Sequence, residues 1–344
     1  MKTKLYVISR NFAGLIAGVL AFLLALALRA QPDFTDSIFR EKLFTLYREV
    51  NDSVLSFCPI PLVYLQLLFL IPIWGISFYR SKAAGRTRLS FFLNSIGLMI
   101  LWFYISWGYN YSATNFTTKQ KVELEHVHLD EEYVLSEALS RAASLRALCD
   151  TASFLAETKS FESAIHSSVR EQLRVHGFKT PGNVRMREIP LNGLMRRIGI
   201  SGIYLPFSGE AHVDKSYLPL RKWFIMAHEY AHGYGISSEA ECDFIAFLAL
   251  RHSHIPELEY AAWFELADCV RPSRGDSIKF NSLPKFFTSE LAALFADAQR
   301  FTPFLGETSN ISNDLYLRIN GIQDGVSSYN QLPLYYVAFQ KATK

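Results

Sequence analysis

Three stretches of the chain are almost free of polar residues, at 12–28, 61–79 and 89–107. Each is about long enough to cross a bilayer as a helix, which takes roughly 17–25 residues. Beyond them the period changes. Val134, Leu135, Ala138, Leu139, Ala142 and Leu145 recur at helical spacing within 130–157, and 161–176 reads as a second helix. Short strands are expected at 183–189 and 197–205, the latter stopped by Pro206 with Gly209 close behind. Helices follow at 219–233, from Ser238 onward, and at 256–270, 289–301, 313–322 and 328–340. The pattern predicts an α-helical membrane anchor of three transmembrane helices over 1–111, followed by a mainly helical α+β domain over 112–344.

Charge orients this arrangement. Lys2, Lys4 and Arg10 precede the first run, and Arg80, Lys82, Arg86 and Arg88 crowd the short link between the second and third without an acid, so both flanks are expected in the cytoplasm. The link between the first two runs mixes Arg40, Lys42 and Arg48 with Asp33, Asp36, Glu41, Glu49 and Asp52, as an external loop does. The residues after 111 are then expected on the periplasmic side of a multi-pass protein of the bacterial inner membrane. A near-balanced net charge of +3 points away from nucleic acid as a partner and leaves the lipid bilayer. Four cysteines are too few for a disulfide framework.

The candidate chemistry lies in His228-Glu229-Tyr230-Ala231-His232. Two imidazoles four residues apart share one helix face and can grip a Zn²⁺ ion, with the intervening carboxylate beside it. The helix is expected to start at Pro219 and to stop at Gly233 or Gly235. Leu220, Trp223, Phe224, Ile225, Met226, Ala227 and Ala231 make most of its circumference apolar, so its polar groups need partners. A third ligand is expected in Ser238-Glu239-Ala240-Glu241-Cys242-Asp243. Ser238 with Glu241 has the spacing of a capping box, which leaves Glu239 free to ligate, with Glu241 as the alternative. Asp243, one turn beyond Glu239, is placed to hold the N–H of a ligand histidine.

The H-E-x-x-H string followed by E-x-x-[AC]-[DN] resembles the gluzincin metallopeptidases. A fuller resemblance, over nearly the whole chain, is to a bacterial family of predicted membrane zinc peptidases catalogued as domain of unknown function 3810. It is carried by Trp107-Gly108-Tyr109-Asn110-Tyr111, by Tyr204-Leu205-Pro206-Phe207-Ser208-Gly209-Glu210-Ala211, by the metal motif and by Gly325-Val326-Ser327-Ser328-Tyr329. The resemblance implies three spans and a zincin-like catalytic domain, with the strand at 199–204 as a cleft rim able to pair with an extended peptide, or else as an internal strand.

The expected activity is that of a membrane-anchored zinc metallopeptidase, with one Zn²⁺ held by His228, His232 and Glu239, and Glu229 as general base on a zinc-bound water. Substrates would be envelope proteins or peptides. Tyr329, His212 and Tyr204 are candidates to stabilise the oxyanion. The alternative is a non-catalytic sensor in which zinc stabilises a regulatory module.

Overall fold

The first apolar run folds into α1 (Ala13–Leu28), followed by a π-helical stretch (Asp36–Phe44), α2 (Thr45–Leu55), α3 (Leu62–Ala83) and α4 (Arg88–Ser106). This computed structural model describes residues 12–55, 57–83, 87–149, 159–273, 275–322, 324–325 and 331–343. The chain divides into two units. One comprises Met1–Thr114 with Pro181–Arg185 and Leu205–Glu210, and the other comprises Asn115–Thr180, Met186–Tyr204 and Ala211–Lys344.

Among the described residues, two helical stretches, Leu62–Ser81 and Arg88–Ser106, are long and apolar enough to cross a membrane. The expected three transmembrane helices are therefore corrected to two candidate spans. Phe12 caps α1 from outside and the helix ends at Leu28, leaving 16 residues. At ~1.5 Å per residue these rise about 24 Å, short of the ~30 Å hydrocarbon core. Instead α1 packs along α4 at backbone contact. A Cβ on Gly18 would lie 2.3 Å from the Gly97 carbonyl oxygen, so glycine is what permits the approach. Asn94 of α4 accepts the Gly14 amide at 2.7 Å and so caps the start of α1. By contrast, the apolar window of α3 is only 6 % buried, which is unlike a core helix of a soluble domain.

The first unit also encloses charge. Arg48 pairs with Asp52 at 2.8 Å and donates to the Gly209 carbonyl at 2.7 Å, while Asp52 accepts the Asn183 amide at 2.7 Å. Glu210 accepts the Leu62 amide at 2.6 Å, which satisfies a first-turn N–H of α3. The later segments Pro181–Arg185 and Leu205–Glu210 are thus fastened among the helices of the first hundred residues.

The second unit is built from α5 (Glu131–Arg146), α6 (Lys159–Val175), α7 (Pro219–Gly233), α8 (Glu239–Arg251), α9 (Pro256–Val270), α10 (Lys285–Gln299), α11 (Gly306–Ile319) and α12 (Leu332–Ala342). α8 touches α6, α7, α9 and α12. Neighbours on every side explain why it is apolar all round, with Phe244, Ile245, Phe247, Leu248 and Leu250 buried. The sheet has three short strands, β1 (Arg185–Ile189), β2 (Gly202–Leu205) and β3 (Glu210–Asp214), in the order β1-β3-β2. The expected α+β zincin architecture is corrected accordingly to a mostly helical chain with, among the described residues, one small sheet. The strand expected at 197–205 begins only at Gly202, because a helical turn, Leu194–Arg197, and the bend after it precede it; Asp214 fixes that turn by accepting the amides of Gly193 at 2.9 Å and Met195 at 3.0 Å.

Candidate metal centre

Pro219 opens α7 as the sequence predicts, and Ser238 opens α8 by accepting the Glu241 amide at 3.4 Å. The two helices pack together, which brings their polar residues to one point inside the apolar core. His228 Nε2 and His232 Nε2 stand 3.0 Å apart, and Glu239 Oε2 lies 3.1 Å from each.

The opposite nitrogens settle the tautomers. His228 Nδ1 faces Asp243 Oδ1 at 2.7 Å, and His232 Nδ1 faces the Ile236 carbonyl at 2.8 Å. Both partners are acceptors, so each Nδ1 carries the hydrogen and each Nε2 presents a lone pair. Two lone pairs and a carboxylate oxygen at 3.0–3.1 Å repel one another unless a cation is shared among them. Protons are one answer. Burial disfavours charge on His228, but Asp243 and Glu239 outweigh it and raise its pKa well above the ordinary value. For His232 burial is likewise outweighed, here mainly by Glu239. Burial opposes the charge of Glu239, and the two rings reverse that effect and hold its carboxyl well below the usual range.

A metal ion is the other answer, and the donor set fits one. A tetrahedral ion about 2.0–2.1 Å from nitrogen or oxygen spans donor pairs ~3.3 Å apart, within a few tenths of an ångström of this triangle. The site is nearly but not wholly closed. His228, Glu229, His232 and Glu239 keep 7, 5, 8 and 7 % of their surface, whereas Ala227 and Ala231 on the same helix keep none.

Ligand atoms of the buried residues His228, His232 and Cys242 also lie within 4.8 Å of one another, so this cluster too could hold a metal ion. Glu239 is the better third donor. The Cys242 Sγ approaches His232 at Nδ1, 3.3 Å away, on the side of the ring committed to Ile236. Burial, then the charges of Glu239 and Asp243, push the Cys242 thiol well above its ordinary pKa.

Glu229 follows His228 on the helix and feels both rings. Burial raises its carboxyl pKa, an effect that His228 and His232 offset in part. Among the described residues its Oε2 has no hydrogen-bond partner. The Tyr204 backbone N–H donates to this carboxylate, so β2, an edge strand, lies over it. Sequence reasoning missed what makes this possible. A Cβ on Gly202 would come within 2.6 Å of Glu229 Oε1 and 2.7 Å of the Ile225 Cγ2. A glycine inside a strand marks such close approach, and that signal was present in the sequence.

Glu241 accepts the Thr117 amide at 3.1 Å and does not join the triangle. His212 is buried on β3, sharing its face with Glu210 and Asp214. Tyr204 reaches the site through its amide. Tyr329 lies outside the described residues.

The family described as "Protein of unknown function (DUF3810)" matches residues 39–337. No curated protein and no solved structure matches the chain.

Proposed function

The chain belongs to this family of unknown function, DUF3810, and from the groups gathered on α7 and α8 we propose a membrane-associated zinc metallopeptidase that hydrolyses peptide bonds of envelope proteins or peptides. The observation that carries the reading is the triangle of His228 Nε2, His232 Nε2 and Glu239 Oε2, beside a Glu229 Oε2 that has no hydrogen-bond partner among the described residues. The ligand set is of the gluzincin type, two histidines and a glutamate, with Asp243 and the Ile236 carbonyl fixing the rings.

Held by His228, His232 and Glu239, the ion would supply Lewis acidity, polarising a scissile carbonyl and acidifying a water molecule. Glu229 Oε2 takes the proton of the attacking water and returns it to the leaving amine. Its raised pKa suits that double duty, because a base nearer neutrality can also act as the acid. The Tyr204 amide fixes the other end of the carboxylate. The outer edge of β2 gives an extended peptide a strand to pair with above Glu229.

The geometry makes Gly202→Ala informative. The added methyl displaces the Glu229 carboxylate, and misplacement of this kind costs on the order of a hundredfold in kcat. Metal content should be unchanged. Loss of metal together with activity would indicate general disruption of the site.

Arg80 and Lys82 in the last turn of α3, Arg86 after it and Arg88 at the start of α4 favour a cytoplasmic link between the two helices, with the chain after Ser106 emerging outside the cytoplasmic membrane. The chain after Ser106 lies on the same side with two spans as with three.

The function is tested by incubating the full-length protein with a peptide library. Cleavage should occur with zinc bound, stop on chelation and return on zinc addition. A zinc-loaded protein that leaves the library intact would favour a non-catalytic sensor.

A further inference from the structure

The helix α2 is inverted relative to a helix of a water-soluble surface. Arg48 and Asp52 point inward, the arginine fully buried, while Leu46, Val50 and Val54 are each more than half exposed. Residues two apart on a helix lie about 200° apart, so the charges and the aliphatic stripe occupy opposite sides. The same holds upstream. In the π-helical stretch Asp36 and Arg40 are buried and paired at 2.8 Å, with Arg40 donating to the Thr114 carbonyl at 2.6 Å, whereas Leu43 is exposed.

A third sector of α2 is exposed and polar. Glu49 and Ser53 flank the stripe on one side. Inward charge, an outward aliphatic stripe and a polar flank are the three sectors of a helix lying in the plane of a bilayer surface over a protein core.

Leu43, Leu46, Val50 and Val54, with Ile105 and Tyr109, line an apolar groove of about 550 Å³. Ile105 belongs to α4, one of the two candidate spans, and is exposed there together with Leu98 and Met99. The groove therefore continues an apolar face that a membrane-crossing α4 turns to lipid. Nothing in a soluble setting would stabilise such a stripe next to buried ion pairs, whereas acyl chains leave both in their preferred surroundings.

We propose that residues 34–55 form a membrane-interface element that does not span the bilayer, and that lipid acyl chains occupy the groove between α2 and the end of α4. This inference stands apart from the peptidase reading and rests only on α3 and α4 meeting lipid. The Arg48 and Asp52 contacts to Gly209 and Asn183 fasten segments 205–210 and 181–185 of the same unit to an element seated at the lipid surface.

The test uses the full-length protein with Cys58→Ser, Cys149→Ser and Cys269→Ser, reconstituted in phosphatidylcholine vesicles. Nitroxides are attached at Leu46→Cys, Val50→Cys and Val54→Cys, positions exposed enough to accept the label without repacking. Molecular oxygen probes lipid and a soluble nickel chelate probes water. The stripe should show an oxygen-to-nickel collision ratio close to that of Leu70→Cys on α3 and several-fold above that of Glu123→Cys, with Ser53→Cys resembling Glu123→Cys. Nickel access along the stripe equal to that at Glu123→Cys would overturn the proposal. Shielding from both probes would also overturn it, since a protein partner or second copy would then cover the stripe. If Leu70→Cys itself reads as aqueous, the membrane reading falls along with it.

Discussion

Glu229→Gln is expected to abolish peptide hydrolysis while the protein keeps its zinc. The amide fills the same volume and can still accept the Tyr204 N–H, so the fold and the neighbouring imidazoles have no reason to move. What is lost is a basic oxygen at Oε2, where no other described group is within hydrogen-bond reach to take over the proton. General-base catalysis of this kind contributes about 10²–10⁴-fold, and the loss should appear in kcat with KM little changed. Zinc content and unfolding midpoint serve as controls. A Glu229→Gln variant that cleaves at the wild-type rate would remove Glu229 from the mechanism.

The second large effect concerns the third metal donor. Glu239→Ala should weaken zinc binding by more than the ~10–100-fold that follows loss of an outer partner, a loss expected for Asp243→Asn. Cys242→Ala should leave affinity close to that of wild type, because its sulfur faces the committed nitrogen of His232. Competition with a chromophoric chelator gives all three affinities. The reverse order, with Cys242→Ala losing the metal and Glu239→Ala retaining it, would place the sulfur in the coordination sphere.

The part of the site that rests on local rules was legible in the sequence. The limits of α7 follow from Pro219 and Gly233, and the register of α8 follows from the Ser238 cap, which sorts Glu239 from Glu241. The carboxylate of Glu241 also accepts the Thr117 amide, a distant partnership that spacing does not encode. Likewise β3 was not anticipated. Glu-Ala-His-Val-Asp reads as a polar surface segment, yet it is the buried central strand, with Glu210 and Asp214 accepting amides from elsewhere in the chain.

The membrane part was misread where composition stood in for geometry. A run at 12–28 looks like a span by hydropathy, but its helix is 16 residues long and packs glycine to glycine on α4. The charges of 33–52 suggested an external loop, a reading that says nothing of the helices there, in which Arg40 and Arg48 turn inward to Asp36 and Asp52. Composition counts charges and is silent on the side of the helix they occupy.

The most direct measurement is X-ray absorption at the zinc edge of the full-length, zinc-loaded protein. Nitrogen and oxygen scatterers at about 2.0–2.1 Å, with imidazole outer shells and no sulfur, are the expected result. A sulfur scatterer at about 2.3 Å, or failure of the protein to retain zinc at all, would contradict a centre built from His228, His232 and Glu239.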